Sequence, residues 1–194
     1  MSAEDIIEDQ FQILQEETAK AMEQVQAYQH KMMTPVWEKR REIVKNIPNF
    51  WGQAIRNHPF FAATLSENDA KALDYLTDFH VEYDEANPKR CKVTATFKEN
   101  DIFKNKTLTK EVIIDPEEGG TVVSKSAIEY HGEKSKKRKA DEDDELENYS
   151  AIEWFGDDTI EAGILLIDDI FPDAFEYYTG NDQEEEEEEE EEEE

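Results

Sequence analysis

The sequence predicts an α+β protein: a long N-terminal helix, a four-stranded antiparallel sheet packed with helices, and a disordered acidic C-terminal tail. Three observations predict it. Apolar residues at the start of the chain recur at alternating steps of four and three, which is the seam of a coiled coil. Between residues 78 and 130 the period drops to two, the spacing of half-buried strands. Residues 140–194 then hold 26 of the 50 acids and no Lys, Arg or His, too much like charge for a compact end.

In the first segment Ile7, Leu14, Ala21, Tyr28 and Pro35 occupy one heptad position, and Phe11, Thr18, Val25 and Met32 the other. Glu, Gln and Lys fill the space between them, all good helix formers. From Ile6 to Thr34 such a helix spans roughly 43 Å at 1.5 Å per residue. Each large side chain it buries is worth about 1.5–3 kcal/mol, so the stripe calls for a partner. No second heptad segment exists in this sequence, and a second copy of the same helix is the expected occupant. The competing reading is that the stripe packs on its own domain. Pro35 interrupts the pattern, and since proline removes a backbone hydrogen bond and clashes one turn back, a kink or short break is expected near Met33–Pro35. Beyond it Val36, Arg40, Ile43 and Ile47 share a stripe, with Trp37 and Val44 beside it, until Pro48. The chain thus divides into a helix over 1–47, a body over 48–180 and a tail over 181–194.

Short helices follow Pro59 and run from Glu67 to Leu76, with Ser66 as N-cap and Asp69 three residues on. Strands are expected around Phe79, Val81 and Tyr83, then Cys91, Val93, Ala95 and Phe97, then Leu108, Val112 and Ile114, and last Ser126, Ile128 and Tyr130. Asn87-Pro88, the KENDIFKNK stretch and Asp115-Pro116 with Gly119-Gly120 supply the turns between them. The result is a meander with one wet face, in which Cys91 is a small buried hydrophobe. Residues 131–148 are a disordered loop by composition. Within it Lys134, Lys136, Lys137, Arg138 and Lys139 have the character of a nuclear-import signal, the alternative being local pairing with the acids that follow. The stretch from Tyr149 to Tyr178 is ordered. There Ile160, Ile164, Ile167 and Ile170 mark a helix closed by Pro172, and Trp154, Phe155, Phe171, Tyr177 and Tyr178 are core residues. Eleven glutamates, Glu184–Glu194, repel one another into an extended tail.

The same composition excludes whole classes of function. One cysteine builds neither a disulfide framework nor a Cys-rich metal site and fits a reducing compartment. The opening MSAEDIIEDQ has no apolar core of a signal peptide, and no run approaches a membrane span. Phosphate affinity comes from Lys and Arg, so direct nucleic-acid binding is not the main activity, and anionic membranes are disfavoured likewise. The partner such a charge suits is a strongly basic macromolecule. His30, His58, His80 and His131 lie on separate elements, Asp141, Asp143 and Glu145 lack the rest of a calcium loop, and no glycine-rich phosphate loop exists. Asp157-Asp158 and Asp168-Asp169 read as a protein-binding face rather than a magnesium site. No catalytic residue, metal or cofactor is expected.

PVWEKRREIVKNIPNFW (35–51), NHP (57–59), YLTDFHVE (75–82), FKENDIFKNKTLTKE (97–111), the Trp-Phe-(x)-Asp at 154–157 and DDIFPDAFEYY (168–178) resemble the nucleosome assembly protein family and, within it, the SET (template-activating factor) branch. The segment between Trp154 and Asp168 is shorter than that family's pattern. The resemblance implies a histone chaperone that transfers core histones to DNA in nucleosome assembly. It also implies a nuclear homodimer joined through Ile7, Phe11, Leu14, Thr18, Ala21, Val25, Tyr28 and Met32, with an earmuff-shaped domain at each end, reached by an import receptor and with shuttling to the cytoplasm left open. The histone surface is expected at Asp157, Asp158, Glu161, Asp168, Asp169 and Asp173. The alternative is an acidic scaffold or inhibitor, for example of a protein phosphatase.

Overall fold

The computed structural model describes residues 3–115, 119–132 and 150–180. Helix α1 (Ala3–Val44) is followed by α2 (Phe50–Asn57), α3 (Pro59–Thr64) and α4 (Glu67–Leu73). Strands β1 (Leu76–Tyr83), β2 (Arg90–Phe97), β3 (Thr107–Asp115) and β4 (Gly119–Lys125) come next. The chain ends on a 3₁₀ turn (Glu153–Phe155), α5 (Glu161–Ile164), a π-helical turn (Leu165–Ile170) and α6 (Ala174–Thr179).

The four strands form one antiparallel sheet in the order β1-β2-β3-β4. Phe79 pairs with Ala95, Val81 with Val93 and Tyr83 with Cys91, while Cys91 pairs with Val112 and Ala95 with Leu108. These residues share the face that meets the helices; Thr94, Thr96, Thr107 and Thr109 line the other. The core joins that face to Phe50, Trp51 and Ile55 of α2, Phe61 of α3, Leu73 of α4, and Trp154, Phe155, Leu166, Ile167, Ile170 and Phe171. Cys91 is buried, and burial pushes its thiol up to about 12, so it is inert at neutral pH.

Two expectations are corrected. Of the kink or short break expected near Met33–Pro35, the break is absent: helix α1 is continuous through Pro35. Proline removes one intrahelical bond, a cost of about 3 kcal/mol, and burial of Trp37 and Val44 just beyond it offsets that cost. The last turns of α1 therefore belong to the core of the body. The fourth strand lies at 119–125, not 126–130; the latter stretch offers only an isolated bridge from Tyr130 to Phe103. Gly120 belongs inside the strand because Ile160 packs where its side chain would stand. At the start of α4 the capping box is present, with Asp69 in the role usual for Glu or Gln.

Candidate functional site

The acid-rich segment 150–180 carries eight carboxylates and no cationic side chain, and the body supplies the groups that fix it. At its start Ser150 Oγ accepts from the Glu153 backbone N–H at 2.9 Å and donates to the carboxylate of buried Asp69. The other Asp69 oxygen accepts from Ser66 Oγ at 2.7 Å. Next comes Lys110, which the alternation of β3 points into the core between Leu108 and Val112, and which is fully buried. Its Nζ donates to the Trp154 carbonyl at 2.6 Å, the Thr159 carbonyl at 2.7 Å and Asp157 at 3.2 Å. Nζ also stands 4.4 Å from the Trp154 ring centroid. Three donors meet three acceptors, which is the condition for burying an ammonium. Burial still lowers its pKa, against the pull of Asp157. At the sheet edge Lys125 pairs with Asp158 at 2.6 Å, and that bond holds the carboxyl below its ordinary range.

Farther along, Asp169 points inward. His58 Nε2 lies 3.0 Å from one of its oxygens, and the Tyr177 hydroxyl donates to the other at 2.6 Å. Partial burial pushes this carboxyl up, but the hydrogen bonds from Tyr177 and His58 outweigh it and hold it below the usual range. Arg40 of α1 donates to the Pro172 carbonyl at 2.8 Å and lies over the rings of Phe171 and Trp51. Desolvation lowers its guanidinium to about 10.

The six acids expected to act together are therefore split. Asp157 and Asp158 are neutralised by Lys110 and Lys125, Asp169 is tied to His58 and Tyr177, and Glu161 accepts from the adjacent Ile160 N–H at 2.9 Å. Asp168 and Asp173 are exposed and make no ion pair among the described residues. Protein mass beside Asp168 desolvates its carboxyl and raises it. Glu176, which sequence reasoning missed, is likewise exposed and outside any ion pair among the described residues; its place three residues after Asp173 on one helical turn was the available signal. Lys110 was missed because an isolated lysine in a strand reads as solvent-facing.

On α1 the expected seam stays open. Ile7, Phe11, Leu14, Val25, Tyr28 and Met32 are each 53–66% exposed, and Thr18 and Ala21 are exposed with them. A different face, through His30, Met33, Trp37 and Val44, docks on the body; there His30 stacks on Tyr83 at 3.7 Å. Val36 and Ile43 remain outside and prolong the seam, so the stripe assigned to them and Arg40 divides between two surfaces. Lys134, Lys136, Lys137, Arg138, Lys139 and the glutamate run lie outside the described residues. Among those described, no group of three or more His, Cys, Asp or Glu is arranged for a metal, and no helix is long and apolar enough to cross a membrane.

A family model described as nucleosome assembly protein matches residues 2–136. The chain is 29% identical over 197 residues to Protein SET of Drosophila melanogaster, covering 90% of this chain and 71% of that protein. It is 29% identical over 191 residues to Protein SETSIP of Homo sapiens, covering 90% of this chain and 63% of that protein. The crystal structure of Ccp1 superposes with a TM-score of 0.73 at 26% identity, covering 92% of this chain and 96% of that one. That resemblance includes the long helix and the four-stranded sheet.

Proposed function

This chain belongs to the nucleosome assembly protein family, and from that premise we propose that it is a histone chaperone working as a homodimer in the nucleus. The observation that carries the reading is the division of the acids. Internal cations and hydrogen bonds lock the segment 150–180 onto the body, while Asp168, Asp173 and Glu176 are left facing solvent. A chaperone must neutralise a histone's Lys and Arg without holding it against DNA. Exposed ion pairs are worth about 0–1 kcal/mol each, so several on a rigid frame give an affinity that builds up yet stays reversible and salt-sensitive. The glutamates at 184–194 add long-range attraction, which raises the rate of encounter.

The open seam on α1 supports the homodimer, since its large apolar side chains are not used by the body. A dimer presents two acidic surfaces to one histone pair, and the second contact becomes intramolecular. The basic cluster at 134–139 supports delivery to the nucleus by an import receptor.

The test is size-exclusion chromatography with light scattering, alone and with each kind of purified core histone pair, at rising salt. The expected result is a dimer that binds at least one histone pair at modest salt and releases it as salt rises. A monomer that ignores every pair contradicts the proposal. Retention of a protein phosphatase without any histone binding favours the inhibitor reading.

A further inference from the structure

We infer that the outer edge of β4 takes up an extended segment of the bound histone, rich in lysine and arginine, as a fifth strand. The inference rests on the chaperone reading and names a second kind of contact within it.

An open sheet has two edges, and this one treats them differently. Helix α1 straddles the β1 edge. His30 stacks on Tyr83, which lies on the core face, while Glu38 and Arg41 reach His80 and Asp78 on the opposite face. Nothing among the described residues does the same at β4. Gly119–Lys125 is exposed throughout, save half-buried Val122, and Val123 is 41% exposed. Among the described residues no backbone hydrogen bond reaches this strand beyond its pairing with β3. An unpaired edge is a template for another extended chain. The bulge that sets Val123 outside the register leaves 119–122 as the regular run, so the template is short and backbone bonds alone hold an added strand weakly.

The groups beside the edge select the occupant. Ile160 packs on Gly120, and Asp158 pairs with Lys125 while its side chain stays 81% exposed. The Glu161 carboxylate accepts from the Ile160 N–H at 2.9 Å, and the residue is exposed. Residues 153–161 hold four acids and no cation, whereas β4 offers only Lys125. An acidic segment, the glutamate run at 184–194 included, would meet repulsion here. Two copies joined edge to edge would set one such acidic border against another over a short, bulged run. A cationic extended segment gains the backbone bonds and the charge pairs together.

The experiment follows amide hydrogen exchange in the full-length protein, alone and with a synthetic peptide of each core histone's basic tail, and titrates intact histone pairs alongside. Alternate amides of 119–125 should exchange freely in the protein alone and become protected when a tail peptide is added. A peptide methylated on alternate backbone nitrogens keeps its charge but cannot pair as a strand, and should bind at least about tenfold more weakly. Thr121→Lys places at the edge the charge that keeps natural edges free, and should weaken the unmethylated peptide about tenfold, while Thr121→Val should bind as wild type does. Tail peptides that bind without protecting β4, or that bind equally well when methylated, overturn this inference alone. So does an edge already protected in the protein by itself, whether by a second copy or by its own chain, and so do intact pairs that bind while every tail peptide is ignored. Wild type that binds neither pairs nor peptides overturns the chaperone reading and this inference with it.

Discussion

Lys110 holds Trp154 twice, by a 2.6 Å hydrogen bond to its carbonyl oxygen and by an ammonium 4.4 Å from its ring centroid. One side chain thereby couples the sheet to the start of the acid-rich segment. Lys110→Met would preserve volume but leave the buried Trp154 carbonyl and the partly buried Thr159 carbonyl without their donor, while Asp157 would keep its bonds from Thr159. A buried group left unsatisfied costs about 1–3 kcal/mol, so a loss of about 2–3 kcal/mol is expected, read as a lower midpoint in chemical denaturation. Lys110→Arg should not rescue, because a planar fork does not fit the three-point cradle of an ammonium. A midpoint unchanged in the Met variant would show that the clasp contributes nothing to stability.

Gly163 packs directly against the same indole. A side chain at 163 would overlap the Trp154 ring atoms, and Trp154 is itself fully buried. Alanine is ordinarily favoured over glycine in a helix by about 1 kcal/mol. Gly163→Ala is expected to reverse that sign and destabilise the protein by about 1–3 kcal/mol through overpacking. A thermal melt that moves upward would contradict this packing.

Much of this architecture was legible in the sequence because periodicity reports burial. The two-residue alternation of β1 to β3 is a direct consequence of one face leaving water, whereas the 3.5-residue stripe of α1 marks a face that stays open in the single chain. The misplacements have equally physical causes. Gly119 and Gly120 carry turn chemistry, yet Gly120 makes room for Ile160, a tertiary fact no local window contains. Pro35 is a helix breaker by propensity, yet packing of Trp37 just beyond it overrides that preference. The acids were the hardest to sort. Asp157, Asp158 and Asp169 differ from Asp168 and Asp173 only through partners distant in sequence, namely Lys110, Lys125 and His58.

The open seam of α1 predicts how the proposed dimer fails. Phe11 and Val25 stand two heptads apart on the exposed stripe and make no part of the buried core. Phe11→Glu combined with Val25→Glu puts two charges into the expected interface, where an unpaired buried ion is prohibitive. The double variant should run as a monomer in light scattering while its far-ultraviolet signature of sheet and short helices persists. A double variant that still dimerises would place the interface elsewhere.

His30 and His80 predict the acid limb of stability. Burial lowers the pKa of His30. Burial likewise lowers His80, with Arg41 adding to the effect against Glu38, Asp78 and Glu82. A folded-state pKa below the unfolded value of about 6.5 means the unfolded chain takes up the proton first. Stability from these groups is therefore complete above about pH 6.5 and is lost as pH falls below it. His30→Phe keeps the ring against Tyr83 and removes one titrating site, so it should reduce the fall in melting temperature between neutral and mildly acidic pH. An identical fall in both proteins would assign the acid limb to other groups.

The division of the acids makes the sharpest comparison. Asp168→Asn, Asp173→Asn and Glu176→Gln together remove three charges that form no internal ion pair among the described residues, so melting should be nearly unchanged while histone affinity drops. At about 0–1 kcal/mol per exposed pair the combined loss should reach about tenfold at low salt and shrink as salt rises. Asp157→Asn with Asp158→Asn removes two charges instead of three, and takes them from Lys110 and Lys125. That pair should lower the melting temperature and leave a smaller direct effect on affinity. Deletion of 184–194 should slow association more than it speeds dissociation, because those charges act at a distance. Stopped-flow and equilibrium titration of the three variants separate these effects. If the tail deletion costs more equilibrium affinity than the triple substitution, the holding is done by the tail and the rigid surface is secondary.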